Sequence, residues 1–144
     1  MTERPLSILL VEDNPADVRL TREAFRTSAL QTGLSVAKDG VEAMEFLHKA
    51  GSYADARRPD LIFLDLNLPR KDGREVLAEI KSDAQLKRIP VIILTTSRAE
   101  RDIIASYDLG ANCYIVKPAD PDQFFEVIHR TEQFWLTTVA RAPL

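Results

Sequence analysis

Several common features are missing from this 144-residue sequence, and each absence excludes a class of protein. A single cysteine, Cys113, cannot form an internal disulfide or a cysteine-based metal cluster. No apolar run approaches the roughly 18 residues of a membrane-spanning helix, and the N-terminal MTERPLS lacks the apolar core of a signal peptide. The five glycines form neither a dinucleotide-binding motif nor a P-loop. We therefore expect a cytoplasmic protein whose chemistry relies on oxygen ligands.

The charge balance gives no sign of a nucleic-acid or membrane partner. The net charge is -3, so no long-range attraction draws the chain to polyanions. Hydrophobic residues make up 45% and charged residues 28%, which is typical of a globular protein. The length predicts one domain over residues 1–144, with residues 136–144 as a C-terminal tail.

Five short apolar runs alternate with segments that carry helix-start signals. The runs predicted to be strands are residues 7–11, 34–37, 61–64, 91–94 and 113–116. Three of them are almost wholly apolar, as in parallel strands covered on both faces. The helix starts are indicated by capping residues, with proline following in two cases: Asn14, Asp39, Asp72, Ser97 and Asp120. Five βα units predict an α/β fold with a doubly wound parallel sheet.

Polar side chains follow four of these predicted strands. Ligands bind at the carboxyl ends of the strands in such a sheet, so groups located there converge on one edge. The groups in question are Glu12 and Asp13, Asp65, Thr95 and Thr96, and Lys117. Each has a structural explanation when taken alone, such as a turn, a helix start or β propensity. Their joint placement at four strand ends favours a functional site.

This combination of groups predicts a magnesium-dependent phosphoryl site. Three neighbouring carboxylates repel one another, and a hard divalent cation relieves that repulsion. Mg²⁺ suits a site with few carboxylates and a phosphate oxygen. Asp65 can act as a nucleophile, while Lys117 and Thr95 can contact the phosphoryl group.

Four motifs identify a family resemblance: ILLVEDN, LIFLDLNLPRKDG, PVIILTTS and GANCYIVKP. Over nearly its whole length the chain resembles the receiver domain of two-component response regulators. The segment RRPDLIFLDLNLPRKDGREVL and the pair Phe134-Trp135 resemble the single-domain response regulators that are paired with phytochromes. The resemblance implies a flavodoxin-like (βα)5 fold with strand order 2-1-3-4-5.

The resemblance also implies roles for individual residues. Asp65 is expected to accept a phosphoryl group from a histidine kinase, and the phytochrome-type resemblance implies that this kinase is a bacteriophytochrome. The expected Mg²⁺ ligands are Glu12, Asp13, Asp65 and the backbone carbonyl of Asn67. The residues expected to contact the phosphoryl group or to switch are Thr95, Thr96, Lys117 and Tyr114, and the Lys117-Pro118 bond is expected to be cis.

The implied function is that of a signalling module rather than a conventional enzyme. It catalyses only its own phosphotransfer and slow autodephosphorylation, and nothing up to Leu144 resembles a DNA-binding output domain. One alternative is a degenerate receiver that acts as a phosphorylation-independent interaction module. A second is a Mg²⁺-dependent phosphohydrolase, although Asn67 occupies the position where such enzymes carry a second aspartate as general acid.

The last helical segment, residues 122–139, is more apolar than one covered face requires. At 100° per residue its apolar stripe is about 200° wide, whereas a helix that packs on a core needs roughly 100°. The excess predicts a homodimer. The residues predicted for its interface are Phe124, Phe125, Ile128, Phe134, Trp135 and Leu136. The alternative is that the tail folds back and covers this face.

Overall fold

Five parallel strands form a single sheet in the computed structural model, which describes residues 5–28 and 30–143. The strand order is β2-β1-β3-β4-β5, which confirms the predicted order 2-1-3-4-5 and the flavodoxin-like α/β fold. The strands are β1 (Leu6–Val11), β2 (Thr32–Ala37), β3 (Leu61–Leu64), β4 (Val91–Thr95) and β5 (Cys113–Val116).

Helices connect successive strands and begin where the sequence indicated, with one exception. They are α1 (Pro15–Arg26), α2 (Gly40–Leu47), α3 (Gly73–Ser82), α4 (Glu100–Asp108) and α5 (Pro121–Gln133). The side chains of Asn14, Asp39, Asp72 and Asp120 each accept hydrogen bonds from the first turn of their helices. These bonds satisfy amide groups that have no partner within the helix.

The sheet is covered on both faces, as its apolar strands require. In β3, Leu61 and Phe63 point into the core shared with α1 and α5, whereas Ile62 and Leu64 point into the core shared with α2 and α3. All four side chains are fully buried. A shift of β3 by one residue would exchange the two faces, so this alternation fixes the register of the strand and with it the position of its C-terminal end.

Two local predictions are wrong. Ser97 does not cap α4, whose N-cap is Ala99 and has no side-chain cap; the Ser97 hydroxyl instead donates to Asp102 inside the first turn. The expected cis bond between Lys117 and Pro118 is also absent, since every peptide bond among residues 5–28 and 30–143 is trans. Trans is the lower-energy isomer of an X–Pro bond by about 0.5–1 kcal/mol, and Lys117 reaches its partners in that geometry.

The C-terminal segment is not one continuous α-helix. After α5, residues Phe134–Thr138 form a turn of π-helix, in which the amide of Val139 donates to the carbonyl of Phe134 at 3.0 Å. This wider turn changes the phase of the apolar pattern. Leu136 is turned into the core at 8% exposure, while Phe134 is left 53% exposed.

A buried carboxyl group joins the end of α5 to the segment after α1. The Ser28 hydroxyl donates to Glu132, whose side chain is completely buried, and accepts from the amide of Leu30. Burial raises the pKa of Glu132, against the opposing effects of the Ser28 hydrogen bond and the charge of His129. Within the described ranges, none of the helices is both apolar enough and long enough to pass through a bilayer.

Candidate functional site

Three carboxylates meet at the C-terminal edge of the sheet. Glu12 and Asp13 follow β1, Asp65 follows β3, and one carboxylate oxygen from each lies within 4.8 Å of the others. The two strands are hydrogen-bonded neighbours with Val11 opposite Leu64, so the residues that follow them must be close. Glu12 and Asp65 are buried, and Asp13 is exposed. The predicted convergence of these acids is confirmed by the geometry.

The backbone around Asp65 holds its carboxylate in place. The Asp65 amide donates to the carbonyl of Val11 at 3.1 Å, which extends the β1–β3 pairing by one residue. The amide of Asn67 donates to Asp65 Oδ1 at 3.1 Å, and the amide of Gly73 donates to the carbonyl of Leu66 at 2.9 Å. The acid is therefore oriented by the sheet on one side and by the start of α3 on the other.

Lys117 brings a positive charge into the centre of these acids. Its Nζ lies 2.5 Å from Glu12 Oε1, 2.9 Å from Asp65 Oδ2 and 2.9 Å from Asp17 Oδ2, and its side chain is 5% exposed. Burial alone lowers the pKa of this ammonium, but the three hydrogen bonds together outweigh burial and raise it. Lys117 is thus held charged. Burial raises the pKa of Glu12 to about 7, against the opposing hydrogen bond from Lys117.

Asp17 is a member of the site that the sequence reasoning missed. A carboxylate in the first turn of α1 already has an explanation in the helix start, where acidic side chains are favoured. The Asn14 side chain caps α1 directly after the acid pair, so Asp17, the third residue of the helix, lies at the same edge of the sheet and contacts Lys117. The sequence signal that could have indicated this is its place in the first turn of a helix that begins directly after the acid pair.

The two threonines at the end of β4 differ. Thr95 is completely buried, and its hydroxyl has no hydrogen-bond partner among the residues that the structure describes. A buried hydroxyl without a partner is costly, which is compatible with a group that contacts a ligand. Thr96 is exposed.

A divalent cation fits the acid cluster. The donor set consists of carboxylate oxygens of Glu12, Asp13 and Asp65 that lie close enough together to share one ion. Hard cations such as Mg²⁺ and Mn²⁺ prefer oxygen ligands of this kind. The role predicted for the backbone carbonyl of Asn67 stays a prediction.

A chain of polar contacts leads from the site toward the outer strand. The Tyr114 hydroxyl donates to the carbonyl of Ser97 at 3.0 Å, and the Ser97 hydroxyl donates to Asp102 at 2.6 Å. Asp102 also pairs with Arg74 at 2.9 Å, and Arg74 is the second residue of α3. These contacts join the start of α3, the first turn of α4 and the β5 residue Tyr114.

The set of residues predicted for a dimer interface is divided by the structure. Three of them fill the core between the sheet, α1 and α5: Phe124, Ile128 and Leu136. They are unavailable to a second molecule, which corrects that part of the prediction. Phe125 and Trp135 are half-buried, and Phe134 is exposed, with its ring edge-to-face with that of Trp135 at 6.1 Å. Ile104 and Tyr107 on α4 are also exposed, at 54% and 49%.

Known proteins share this fold and much of this sequence. Residues 8–129 match the model of the Response regulator receiver domain family. The Response regulator Rcp1 of Synechocystis sp. is 53% identical over 135 residues, which is 94% of this chain and 92% of that protein. The crystal structure of the phosphorylated cyanobacterial phytochrome response regulator RcpA superimposes with a TM-score of 0.95 and 54% identity, covering 97% of this chain and 100% of that one.

The Mn²⁺-bound form of response regulator Rcp1 superimposes with a TM-score of 0.93 and 52% identity, covering 96% of this chain and all of that chain. A divalent metal in that relative agrees with the acid cluster of Glu12, Asp13 and Asp65. The match extends through all five strands and is supported by both sequence and fold. The chain belongs to the response regulator receiver domain family.

Proposed function

We propose that this chain is the phosphoacceptor of a two-component phosphorelay, in which a histidine kinase transfers a phosphoryl group to Asp65 with Mg²⁺ as cofactor. One arrangement carries the proposal: the buried carboxylate of Asp65 shares the ammonium of Lys117 with Glu12 and stands in a cluster of three acids. Burying several charges together is costly for stability. A site that must bind a cation and a phosphoryl group explains that cost.

Asp65 is the nucleophile of the transfer. A lone pair of its carboxylate forms a bond to phosphorus, the P–N bond of the phosphohistidine breaks, and the electron pair of that bond stays on the imidazole nitrogen. The ring leaves as neutral imidazole when its other nitrogen carries a proton. In the slow autodephosphorylation, the oxygen of a water molecule bonds to phosphorus, the P–O bond to Asp65 breaks, and its electron pair stays on the Asp65 carboxylate. Inorganic phosphate leaves with one of the water's hydrogens as a P–OH group, and the second proton passes to solvent.

The remaining residues orient and neutralise the phosphoryl group. Lys117 already donates to Asp65 at 2.9 Å, and the same ammonium can donate to a phosphoryl oxygen bonded to that carboxylate. The buried Thr95 hydroxyl has a donor to offer a second oxygen. Mg²⁺ held by Glu12, Asp13 and Asp65, with the carbonyl of Asn67, would supply further positive charge against the phosphoryl oxygens.

The signal leaves the site through the face formed by α4, β5 and α5. Thr95 moves toward the phosphoryl oxygen, and Tyr114 occupies the space beside it. The Tyr114 hydroxyl is bonded to Ser97, two residues after Thr95, so a shift of the loop after β4 moves its acceptor. Replacing Tyr114 with alanine should leave phosphorylation of Asp65 intact and weaken partner binding; a partner affinity equal to that of the wild type would remove the switch role.

A bacteriophytochrome is the proposed kinase partner, acting with this chain in the cytoplasm. The support is the similarity to Rcp1 and to RcpA, the latter a phytochrome response regulator. The experiment is phosphotransfer from each histidine kinase of the source organism. Fastest transfer from a phytochrome kinase is expected, and preferential transfer from a kinase of another class would overturn this assignment.

Phosphorylation of Asp65 is tested with acetyl phosphate and Mg²⁺, followed by mass spectrometry of the intact chain. A receiver takes up one phosphoryl group, requires the divalent cation, and loses the group slowly. The control is Asp65→Asn, which keeps the shape of the side chain and lacks the nucleophilic carboxylate. Uptake by this variant equal to that of the wild type would place the modification elsewhere.

The same assay distinguishes the two alternative functions. A degenerate receiver takes up no phosphoryl group. A phosphohydrolase turns over many equivalents of phosphodonor, which needs a general acid beside Asp65. Asn67 is exposed, its amide already donates to Asp65, and its side chain carries no acidic proton.

The proposed homodimer uses the exposed apolar side chains of the α4–β5–α5 face. Phe134, Ile104 and Tyr107 are each about half exposed, and large apolar groups of this kind favour contact with a second surface. Replacing Phe134 with glutamate should convert the dimer to monomer in sedimentation at micromolar concentration. The matched control is Gln123→Glu, which adds the same charge at an exposed position of α5. A wild-type chain that sediments as a monomer with and without phosphorylation contradicts the proposal.

A further inference from the structure

We propose that Asp17 is a positioning residue for phosphoryl transfer: it holds the ammonium of Lys117 beside Asp65 and acts through that lysine. This inference rests on the proposed function and adds a residue that the motifs did not include. Asp17 reaches the site from α1, whereas Lys117 follows β5, so the contact joins two elements at opposite ends of the chain.

The three contacts of Lys117 exist at the same time. An ammonium has three N–H donors, and the three acceptors are carboxylate oxygens of Glu12, Asp17 and Asp65 at 2.5, 2.9 and 2.9 Å. Because each donor has its own acceptor, Asp17 does not withdraw the ammonium from Asp65. Asp17 accepts the third N–H of the ammonium, and the N–H that donates to Asp65 stays in place.

Asp17 is the acceptor whose chemistry stays constant during the reaction. Glu12 and Asp65 belong to the cluster that fits a divalent cation, and Asp65 itself becomes the phosphorylated group. The carboxylate of Asp17 is outside that cluster. It can therefore keep its hydrogen bond to Lys117 before and after transfer, while the other two acceptors change.

The start of α1 makes Asp17 a firm anchor. The Asn14 side chain accepts from the amide of Asp17 at 3.2 Å, Pro15 occupies the first helical position, and the Thr21 hydroxyl donates to the Asp17 carbonyl at 2.8 Å. Lys117 by contrast has a flexible four-carbon side chain. Because its ammonium is fixed in advance, the reaction need not reorient it. Preorganisation of charged groups in this way is the usual source of electrostatic catalysis.

The test compares the rate of phosphorylation by acetyl phosphate at saturating Mg²⁺ in Asp17→Ala and Asp17→Asn. Asp17→Ala should react about tenfold more slowly, as expected for the partial loss of one charge-assisted hydrogen bond. Asp17→Asn keeps an oxygen acceptor in the same place and should recover part of the rate, to about threefold below the wild type. Asp122→Asn, which changes a first-turn acid of α5, is the control and should match the wild type.

Two further measurements separate positioning from a structural or metal-binding role. The affinity for Mg²⁺, from calorimetry, should change by no more than about twofold in Asp17→Asn, because Asp17 is outside the acid cluster. In a Lys117→Ala chain, adding Asp17→Ala should leave the remaining rate unchanged, since the group that Asp17 positions is gone. A further loss as large as that in the wild-type background would overturn the proposal.

The outcomes also separate this inference from the function on which it rests. A wild-type chain that takes up no phosphoryl group refutes the proposed function, and the role of Asp17 with it. If the wild-type chain is phosphorylated on Asp65 and both Asp17→Ala and Asp17→Asn react at the wild-type rate, only the positioning role is refuted. If Asp17→Ala fails to fold, Asp17→Asn decides: a rate equal to that of the wild type overturns the role.

Discussion

Gly73→Ala is expected to damage stability and phosphorylation together, because the start of α3 lies against the backbone of the phosphoacceptor loop. A methyl group added at Gly73 would lie 2.2 Å from the carbonyl oxygen of Asp65, 2.6 Å from Leu66 Cα and 2.9 Å from the Leu66 carbonyl oxygen. All three are backbone atoms, which cannot rotate away as the end of a long side chain can. Relief therefore requires the loop and the helix to move apart by about 1 Å.

The size of the effect follows from three contributions. Crowding of this kind costs about 1–3 kcal/mol. Separation of the two segments also weakens the hydrogen bond from the Gly73 amide to the Leu66 carbonyl, now 2.9 Å long, which is worth about 0.5–1.5 kcal/mol. Replacing glycine reduces the entropy of the unfolded chain, which by itself raises the free energy of unfolding by about 0.4–1 kcal/mol. The net loss in the free energy of unfolding is about 2 kcal/mol.

Urea denaturation followed by circular dichroism measures that loss of stability, and the acetyl phosphate assay measures the rate at which Asp65 is phosphorylated. A displacement of about 1 Å at Asp65 should slow phosphorylation by about tenfold or more, since transfer depends on the position of the nucleophile. The matched control is Gly33→Ala on the edge strand β2. Apart from its two chain neighbours, none of the residues that the structure describes has an atom within 4 Å of the added methyl group there, so the stability should change by less than about 0.5 kcal/mol.

A Gly73→Ala chain whose free energy of unfolding lies within about 0.5 kcal/mol of the wild type, and which is phosphorylated at the wild-type rate, would contradict both expected effects. Loss of stability without loss of phosphorylation rate would contradict the second half alone. In that case the helix would have moved and the Asp65 loop would have kept its position.

Three further predictions follow from single contacts. Burial raises the pKa of Glu132 above its unfolded value, so its contribution to stability is complete below the unfolded pKa and is lost as pH rises through the folded pKa. In urea unfolding between pH 5 and 8, the free energy of unfolding should therefore decline less for Glu132→Gln than for the wild type. A decline equal to that of the control Glu126→Gln would contradict this. A double-mutant cycle of Arg74→Ala and Asp102→Ala should give a small favourable coupling free energy that weakens in high salt. Strictly additive effects would show that the pair contributes nothing. Asn14→Ala removes the side-chain cap of α1 and should lower the free energy of unfolding in urea by about 1 kcal/mol. A phosphorylation rate that falls as well would support the role of α1 in the site. An unchanged free energy of unfolding would show that the cap does not stabilise the protein.

The fold could be predicted from the sequence because its signals are local. The apolar run of β3 has no polar interruption, and the caps at Asp39 and Asp120 begin their helices where they were expected. The parallel arrangement then brought Glu12 and Asp65 to one edge without any information from side-chain packing. Hydrophobic pattern, capping and the geometry of parallel crossovers were sufficient at this level.

The errors in the predictions arose where a residue's environment depends on distant parts of the chain. Ser97 has the spacing of a capping residue, yet its hydroxyl is bound by Asp102, so α4 begins later than its sequence suggests. The apolar stripe after α5 was projected on one continuous helix, and the π-helical turn beginning at Phe134 changes its phase. Leu136 consequently belongs to the core and not to an outer surface.

The sequence by itself determined the five βα units, the edge of the sheet where the site lies, and most of the residues that form it, because strand ends and helix caps are encoded within a few neighbouring residues. The strand order was implied by the family resemblance. Only the tertiary structure decided that Asp17 joins Glu12 and Asp65 on the ammonium of Lys117. That contact spans 100 positions in the sequence, and it depends on how α1 and the segment after β5 meet above the sheet. No local pattern encodes a distance between two such elements.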